Sequence, residues 1–296
     1  RLVVAGVAAR RAAVATIVAR EQLAWTELPE LPQAGPIRRA VPIADGLAIA
    51  GHGGLIITDR SGRLRRQLVS GAFVAEVVRA EITPGRTRLL YLTEGRDVLF
   101  VDTDDGTPQG VTHVATLGDI ELALSPDGGV ALVLVKAREG GRVVAPHFLG
   151  FRLPEAAGSP PTELSMGIPE RRPAWALAFL PDGSVVLGLQ GMSLGRSSLD
   201  GSGFQVSSPP PWGGGLRPNV SRVAASPRAT TLYGASDAVG GGNVLIAWAP
   251  GADPRRCAPR GPEVRSLDVS PDGLFVAVGA DDARLEVWIA GDDLPP

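Results

Sequence analysis

Residues 267–291 read Leu-Asp-Val-Ser-Pro-Asp-Gly-Leu-Phe-Val-Ala-Val-Gly-Ala-Asp-Asp-Ala-Arg-Leu-Glu-Val-Trp-Ile-Ala-Gly. Leu267 and Val269 alternate with Asp268 and Ser270, the period of a half-buried strand. Ser270-Pro271-Asp272-Gly273 is turn chemistry: proline presets φ, aspartate tolerates the bend and glycine accepts a positive φ. A β-rich run follows from Leu274 to Val278. Asp281-Asp282 turns the chain again, and Leu285 to Ile289 returns as a third strand. The stretch is a three-strand meander with tight turns, and the rest of the chain reads as imperfect copies of it.

The copies align on the first turn. Ile43-Ala44-Asp45-Gly46, Ile82-Thr83-Pro84-Gly85, Ser125-Pro126-Asp127-Gly128, Leu180-Pro181-Asp182-Gly183 and Ala225-Ser226-Pro227-Arg228 each precede an apolar strand. Successive turns lie roughly 40 to 55 residues apart, near the period of a four-stranded propeller blade. A third strand recurs at Leu55–Asp59, Val98–Asp102, Val244–Trp248 and Val287–Ile289, and a more polar fourth at Leu64–Val69 and Val111–Leu117. Six units are clear. Residues 1–34 make a degenerate seventh, with strands at Leu2–Ala5 and Ala13–Val18 and a third from Gln22 to Leu28.

The fold class expected is all-β, a seven-bladed β-propeller in one domain spanning 1–296, with six or eight blades left open. The blades fall at 1–34, 35–74, 75–117, 118–168, 169–210, 211–260 and 261–296. The last unit stops one strand short. Ring closure by pairing of the N- and C-terminal strands, Leu2–Ala5 beside Leu285–Ile289, is the expected remedy, because it removes an open edge. Insertions rich in Gly, Pro and Ser at Arg138–Pro146, Glu155–Pro161, Ser207–Pro218 and Ala238–Gly242 are expected to be loops.

Composition agrees with many short strands. Hydrophobic residues make up 44% and charged residues 20%, enough for a large core, and 38 Gly with 26 Pro suit numerous turns. The net charge of -2 calls for neither nucleic acid nor an anionic membrane surface. Arg10 and Arg11 interrupt the apolar N-terminal segment and argue against a membrane span there. Lys136 is the sole lysine, a bias that with the Ala, Gly and Pro content suggests a GC-rich bacterial genome. Cys257 is the sole cysteine, so no intrachain disulfide forms, and Arg255 and Arg256 beside it would favour the thiolate.

The closing unit resembles a WD40 repeat. Gly279-Ala280-Asp281-Asp282-Ala283-Arg284-Leu285-Glu286-Val287-Trp288 matches the segment that ends in Trp-Asp in that family, with Ile289 standing where Asp would be. The Ser-Pro-Asp-Gly turns at 125–128 and 270–273 are typical of it and of related bacterial propellers. The family's Gly-His dipeptide is missing from its place; His52 lies in another part of the unit. The resemblance implies a rigid, non-catalytic platform for a protein or peptide, often within a larger protein or assembly.

Catalytic, cofactor and metal residues are not expected. His52, His113 and His147 lack ligand spacing, and Asp102-Thr103-Asp104-Asp105-Gly106 lacks the later Glu of a calcium loop and reads as a hairpin turn. Gly213–Gly215 and Gly240–Gly242 lead into no helix and are not phosphate loops. One constellation does point to binding. Arg38, Arg39, Arg79, Arg171, Arg172, Arg222 and Arg265 lie near the beginnings of predicted first strands, which a ring would gather at one channel rim, with Trp175 beside them. Guanidinium groups there would attract an acidic peptide or anion, although polar strand ends need no ligand to explain them. Trp212, in Pro209-Pro210-Pro211-Trp212-Gly213, is a candidate loop anchor. A propeller enzyme acting on lactones or sugars is the rival class and would gather acids at the rim. The location expected is the bacterial cytoplasm, with a periplasmic propeller as the alternative.

Overall fold

The turn at Ser125–Gly128 shows how local chemistry starts each sheet. The Ser125 hydroxyl donates to Asp127 Oδ1 at 2.5 Å and accepts the Val130 N–H at 2.8 Å, while the Gly129 N–H reaches the same carboxylate oxygen at 2.9 Å. Gly128 sits at φ 70° and its N–H closes the turn on the Ser125 carbonyl at 2.8 Å. The Ser125 hydroxyl, and after it the Gly129 N–H, hold the Asp127 carboxyl below its ordinary value. Leu180–Gly183 repeats the design. Gly183 is at φ 79° with its N–H on the Leu180 carbonyl, and the Ser184 N–H is on Asp182 Oδ1 at 2.9 Å.

The computed structural model describes residues 2–5, 12–19, 22–27, 31–104, 106–116, 118–139, 142–143, 146–155, 159–168, 173–207, 219–225, 231–236, 244–249, 255–257, 264–269, 273, 275–280 and 285–289. Arg171, Arg172 and Trp212 lie outside them, as do the side chains of Trp25, Cys257, Arg265 and Trp288. Among the described residues seven antiparallel sheets follow one another along the chain, each built from strands in sequence order. They are β1 (Leu2–Ala5), β2 (Ala12–Ala19) and β3 (Gln22–Glu27); β4 (Ile37–Ile43), β5 (Gly46–Gly51), β6 (Gly54–Asp59) and β7 (Leu64–Ser70); and β8 (Val74–Thr83), β9 (Arg86–Thr93), β10 (Asp97–Asp102) and β11 (Gln109–His113). The fourth holds β12 (Gly118–Leu124), β13 (Val130–Glu139), β15 (His147–Arg152) and β16 (Thr162–Leu164), with β14 (Arg142–Val143) against β13. Then come β17 (Ala174–Phe179), β18 (Val185–Leu189), β19 (Ser193–Ser197) and β20 (Gln205–Ser207); β21 (Val220–Ala225), β22 (Leu232–Ser236), β23 (Leu245–Trp248) and β24 (Arg255–Cys257); and β25 (Val264–Val269), β26 (Phe275–Ala280) and β27 (Leu285–Ile289). Among the described residues no helix is long and apolar enough to cross a membrane.

Middle strands are the most buried. Every residue of β5 and of β18 is buried, whereas β7, an edge, exposes Leu64 to Gln67. That gradient is what stacked sheets require: faces are covered, outer edges meet water. The chain divides into two compact units. In the first (Arg1–Thr116, Leu122–Leu132 and Gly150–Leu164), Ala48, Leu55 and Ile57 of the β4–β7 sheet pack on Val77, Leu89 and Tyr91 of the β8–β11 sheet. In the second (Leu117–Glu121, Val133–Leu149 and Ser165–Pro296), Val186 and Leu194 pack on Val220, Leu232 and Ile246, and Tyr233 and Leu245 in turn on Val264, Val276 and Val278. First strands also meet: β1 with β4 and β4 with β8 in one unit, β17 with β21 and β21 with β25 in the other.

One expectation changes and another gains a partner. Leu2–Ala5 pairs with Ala12–Ala15 as the first strand of its own sheet. A short strand followed by an eight-residue neighbour finds its partner locally, and the local pairing closes a smaller loop. The expected loop at Arg138–Pro146 is in part a hairpin, Arg138 facing Val143 and Glu139 facing Arg142. The two residues between them in sequence, Gly140-Gly141, are the usual two-residue hairpin signal.

Candidate functional site

Five first strands carry the same irregularity. Ile37 and Arg39 pair with the consecutive Gly51 and Ala50, which leaves Arg38 as an extra residue. By the same count Ala75 is extra in β8, Trp175 in β17, Ser221 in β21 and Arg265 in β25. A β-bulge bends its strand and re-aims the side chains beside it, so it is a common device next to binding sites. Three of the sequence-chosen residues, Arg38, Trp175 and Arg265, are themselves the extra residues, and Arg39 and Arg222 directly follow one.

In the first unit the bulge of β4 gathers cations and rings. Arg38 is exposed and lies over the Phe73 ring at 5.8 Å, and His52 stacks on the same ring at 4.5 Å. Arg39 pairs with Glu76, the residue after the β8 bulge, at 2.7 Å. Arg79 stands apart, part-buried in mid-strand opposite Leu89.

In the second unit a denser cluster forms. The Lys136 ammonium, only 7% exposed, donates to Glu121 Oε1 at 3.0 Å and to the Trp175 carbonyl at 3.0 Å. Arg222 Nη1 donates to the same Glu121 oxygen at 3.3 Å and to the Ser221 carbonyl at 2.7 Å. One carboxylate thus holds two cations from β13 and β21, and the lysine fixes the backbone at the β17 bulge. A buried ammonium without such partners would be strongly unfavourable. Not every group is satisfied. Trp175 Nε1 and Ser221 Oγ are buried and have no hydrogen-bond partner among the described residues.

Arg222 and Trp175 were legible as candidates from strand position alone. Glu121, Lys136 and Ser221 were not. The signal for Lys136 was available: a lone lysine closing the apolar run Val130–Val135 must find a buried counter-charge. Asp102, weighed as the head of a calcium loop, is instead held by Arg88 and Arg86, and its turn joins β10 to β11.

No protein-family profile matches the chain, and no curated protein matches it. Solved structures do. A chain from the crystal structure of a mitotic checkpoint complex superimposes with a TM-score of 0.70 at 14% sequence identity, over 98% of this chain and 87% of that chain. The all-β chain has the fold of a β-propeller. At that identity the likeness shows the fold and leaves function to the chain's own residues. Each of the five bulges lies on the first strand of its sheet.

Proposed function

We propose that this chain is a non-catalytic recognition module, one seven-bladed propeller over residues 1–296 that holds an acidic protein or peptide where its first strands begin. The blades follow the units 1–34, 35–74, 75–117, 118–168, 169–210, 211–260 and 261–296. The observation that carries the reading is the repeated bulge, which sets Arg38, Trp175, Ser221 and Arg265 at equivalent places in separate sheets and leaves Arg39 and Arg222 beside them. A propeller brings equivalent places together around one channel mouth. Guanidinium groups there take carboxylates in charge-assisted bonds. Arg172 as a rim cation and Trp212 as a separate loop anchor remain part of the proposal from sequence, and Arg79 contributes charge from farther along β8. An enzyme would need a convergent acid–base pair, and the groups near the bulges are chiefly arginine.

The test is an array of Asp- and Glu-rich peptides probed at low and high salt. Retention of acidic peptides that weakens with salt is expected. The triple variant Arg38→Gln, Arg222→Gln, Arg265→Gln loses about tenfold or more in affinity, the scale of a few charge-assisted bonds. Retention equal to that of the native protein sinks the reading.

A further inference from the structure

The two orphaned donors of the second unit share a position. Trp175 and Ser221 are the extra residues of the bulges in β17 and β21, and those two strands pack against each other. Both side-chain atoms are buried, and Ser221 as a residue is only 5% exposed. An indole N–H can only donate, and a hydroxyl can donate. A buried donor left unmet costs on the order of tenfold to a hundredfold in the folding equilibrium, so two at one repeated position call for an acceptor. Charge narrows the acceptor. The Arg222 guanidinium stands at Ser221, its Nη1 on the Ser221 carbonyl at 2.7 Å, and a guanidinium beside two donors favours an anionic oxygen such as a carboxylate.

We infer that the β17 and β21 bulges form a carboxylate subsite, in which Trp175 Nε1–H and Ser221 Oγ–H donate to one carboxylate and Arg222 supplies the charge. The inference rests on the recognition reading and gives it a chemistry. Lys136 does not touch the ligand in this scheme. Its bond to the Trp175 carbonyl holds the bulge in place, and its pairing with Glu121 keeps Arg222 beside Ser221. The donors are therefore set before the ligand arrives, which lowers the entropy lost on binding. An acidic side chain and a free peptide C-terminus present the same group.

The experiment follows the indole N–H signals of the five tryptophans in the 15N-labelled full chain. Trp175→Phe assigns the relevant signal. The probes are blocked Gly-Glu-Gly, blocked Gly-Gln-Gly, and N-acetyl-Gly-Gly-Gly with a free C-terminus. Blocked Gly-Glu-Gly moves the Trp175 signal downfield and blocked Gly-Gln-Gly leaves it in place. The free C-terminus shows whether a chain end serves as well as a side chain. Ser221→Ala, which removes one oxygen and no packing, raises the dissociation constant about tenfold while the fold is kept. A signal that stays fixed with every probe overturns the subsite, as does equal movement with the Glu and Gln peptides. If the array retains acidic peptides while Trp175 stays fixed, the subsite fails and the recognition reading stands. If Trp175 responds and the array retains nothing, the reverse holds.

Discussion

Two arginine–carboxylate arrangements among the described residues, one buried at Arg88–Asp102 and one part-buried at Arg222–Glu121, differ in how completely the groups around them are satisfied. Arg88, whose side chain is 4% exposed, uses every guanidinium nitrogen. Nε donates to Asp102 Oδ1 at 2.6 Å, Nη2 to Oδ2 at 3.0 Å, and Nη1 to the Gly128 carbonyl at 3.0 Å. Its face lies over Phe100 at 5.0 Å, and Arg86 adds a further bond to Asp102. The arrangement ties β9 and β10 to the Ser125–Gly128 turn of the following sheet, and nothing is left for a ligand to do. The Lys136–Glu121–Arg222 cluster shares one carboxylate oxygen between two cations and lies beside two unmet donors. The first network is satisfied within the fold, and the second leaves two buried donors unmet at bulges. The comparison predicts opposite responses to mutation in the two places.

The largest effect is expected at Asp102. Asp102→Ala strands a buried guanidinium without its counter-ion, and loss of a buried partner costs about 3–5 kcal/mol. Urea denaturation of the variant should show that drop, and acidic-peptide binding by the protein that remains folded should be unaltered. A loss below about 1 kcal/mol, the ordinary worth of an exposed pair, would place Arg88–Asp102 among surface salt bridges and dissolve the contrast. The pH profile adds a second reading. Burial pushes the Asp102 carboxyl up, but the hydrogen bonds and charge of Arg88, then of Arg86, outweigh it, and the carboxyl lies below its ordinary value. Its contribution is therefore complete above the unfolded-state value of about 3.9 and is lost as pH falls through the lower folded value. The native protein should lose stability in that acid window, and Asp102→Ala should lose less.

This difference between the regions also marks what could be read from residues alone. Turns and strand alternation are local, so Ser125–Gly128, Leu180–Gly183 and the three strands β25–β27 stand in the structure where the pattern of 267–291 puts them. Bulges depend on register with a neighbour, and no residue type announces them: Arg38, Ala75, Trp175, Ser221 and Arg265 share neither size nor charge. Trp175 and Arg222 were reached only because strand beginnings were suspected as a class. Ring closure by Leu2–Ala5 beside Leu285–Ile289 is a global need that a local pattern does not encode, whereas the pairing of Leu2–Ala5 with Ala12–Ala15 is local and closes a small loop.

An intermediate effect is expected where β18 and β21 approach closely in the second unit. A Cβ added at Gly188 of β18 would collide with the Val220 carbonyl at the start of the β21 bulge. Gly188→Ala must therefore push β21 from β18, and overpacking of this kind costs about 1–3 kcal/mol. Because the displaced backbone precedes Ser221, the variant should also weaken binding of blocked Gly-Glu-Gly. A stability loss with unchanged peptide affinity would separate the bulge from the subsite and leave the comparison resting on the hydrogen bonds alone.

The smallest effect carries the sharpest contrast, because its sign is reversed. In the saturated region every deletion of a polar group destabilises. At Ser221 the hydroxyl is buried without a partner, so the ligand-free protein bears the desolvation of that group with no bond to offset it. Ser221→Ala removes the oxygen and keeps the volume of the bulge, and it should raise stability by up to about 1 kcal/mol in thermal or urea unfolding. The same substitution should weaken carboxylate binding. Gain of stability with loss of affinity is the signature of a group retained for a ligand. If Ser221→Ala destabilises the free protein, its hydroxyl is already satisfied, and the second region then differs from the first in degree only.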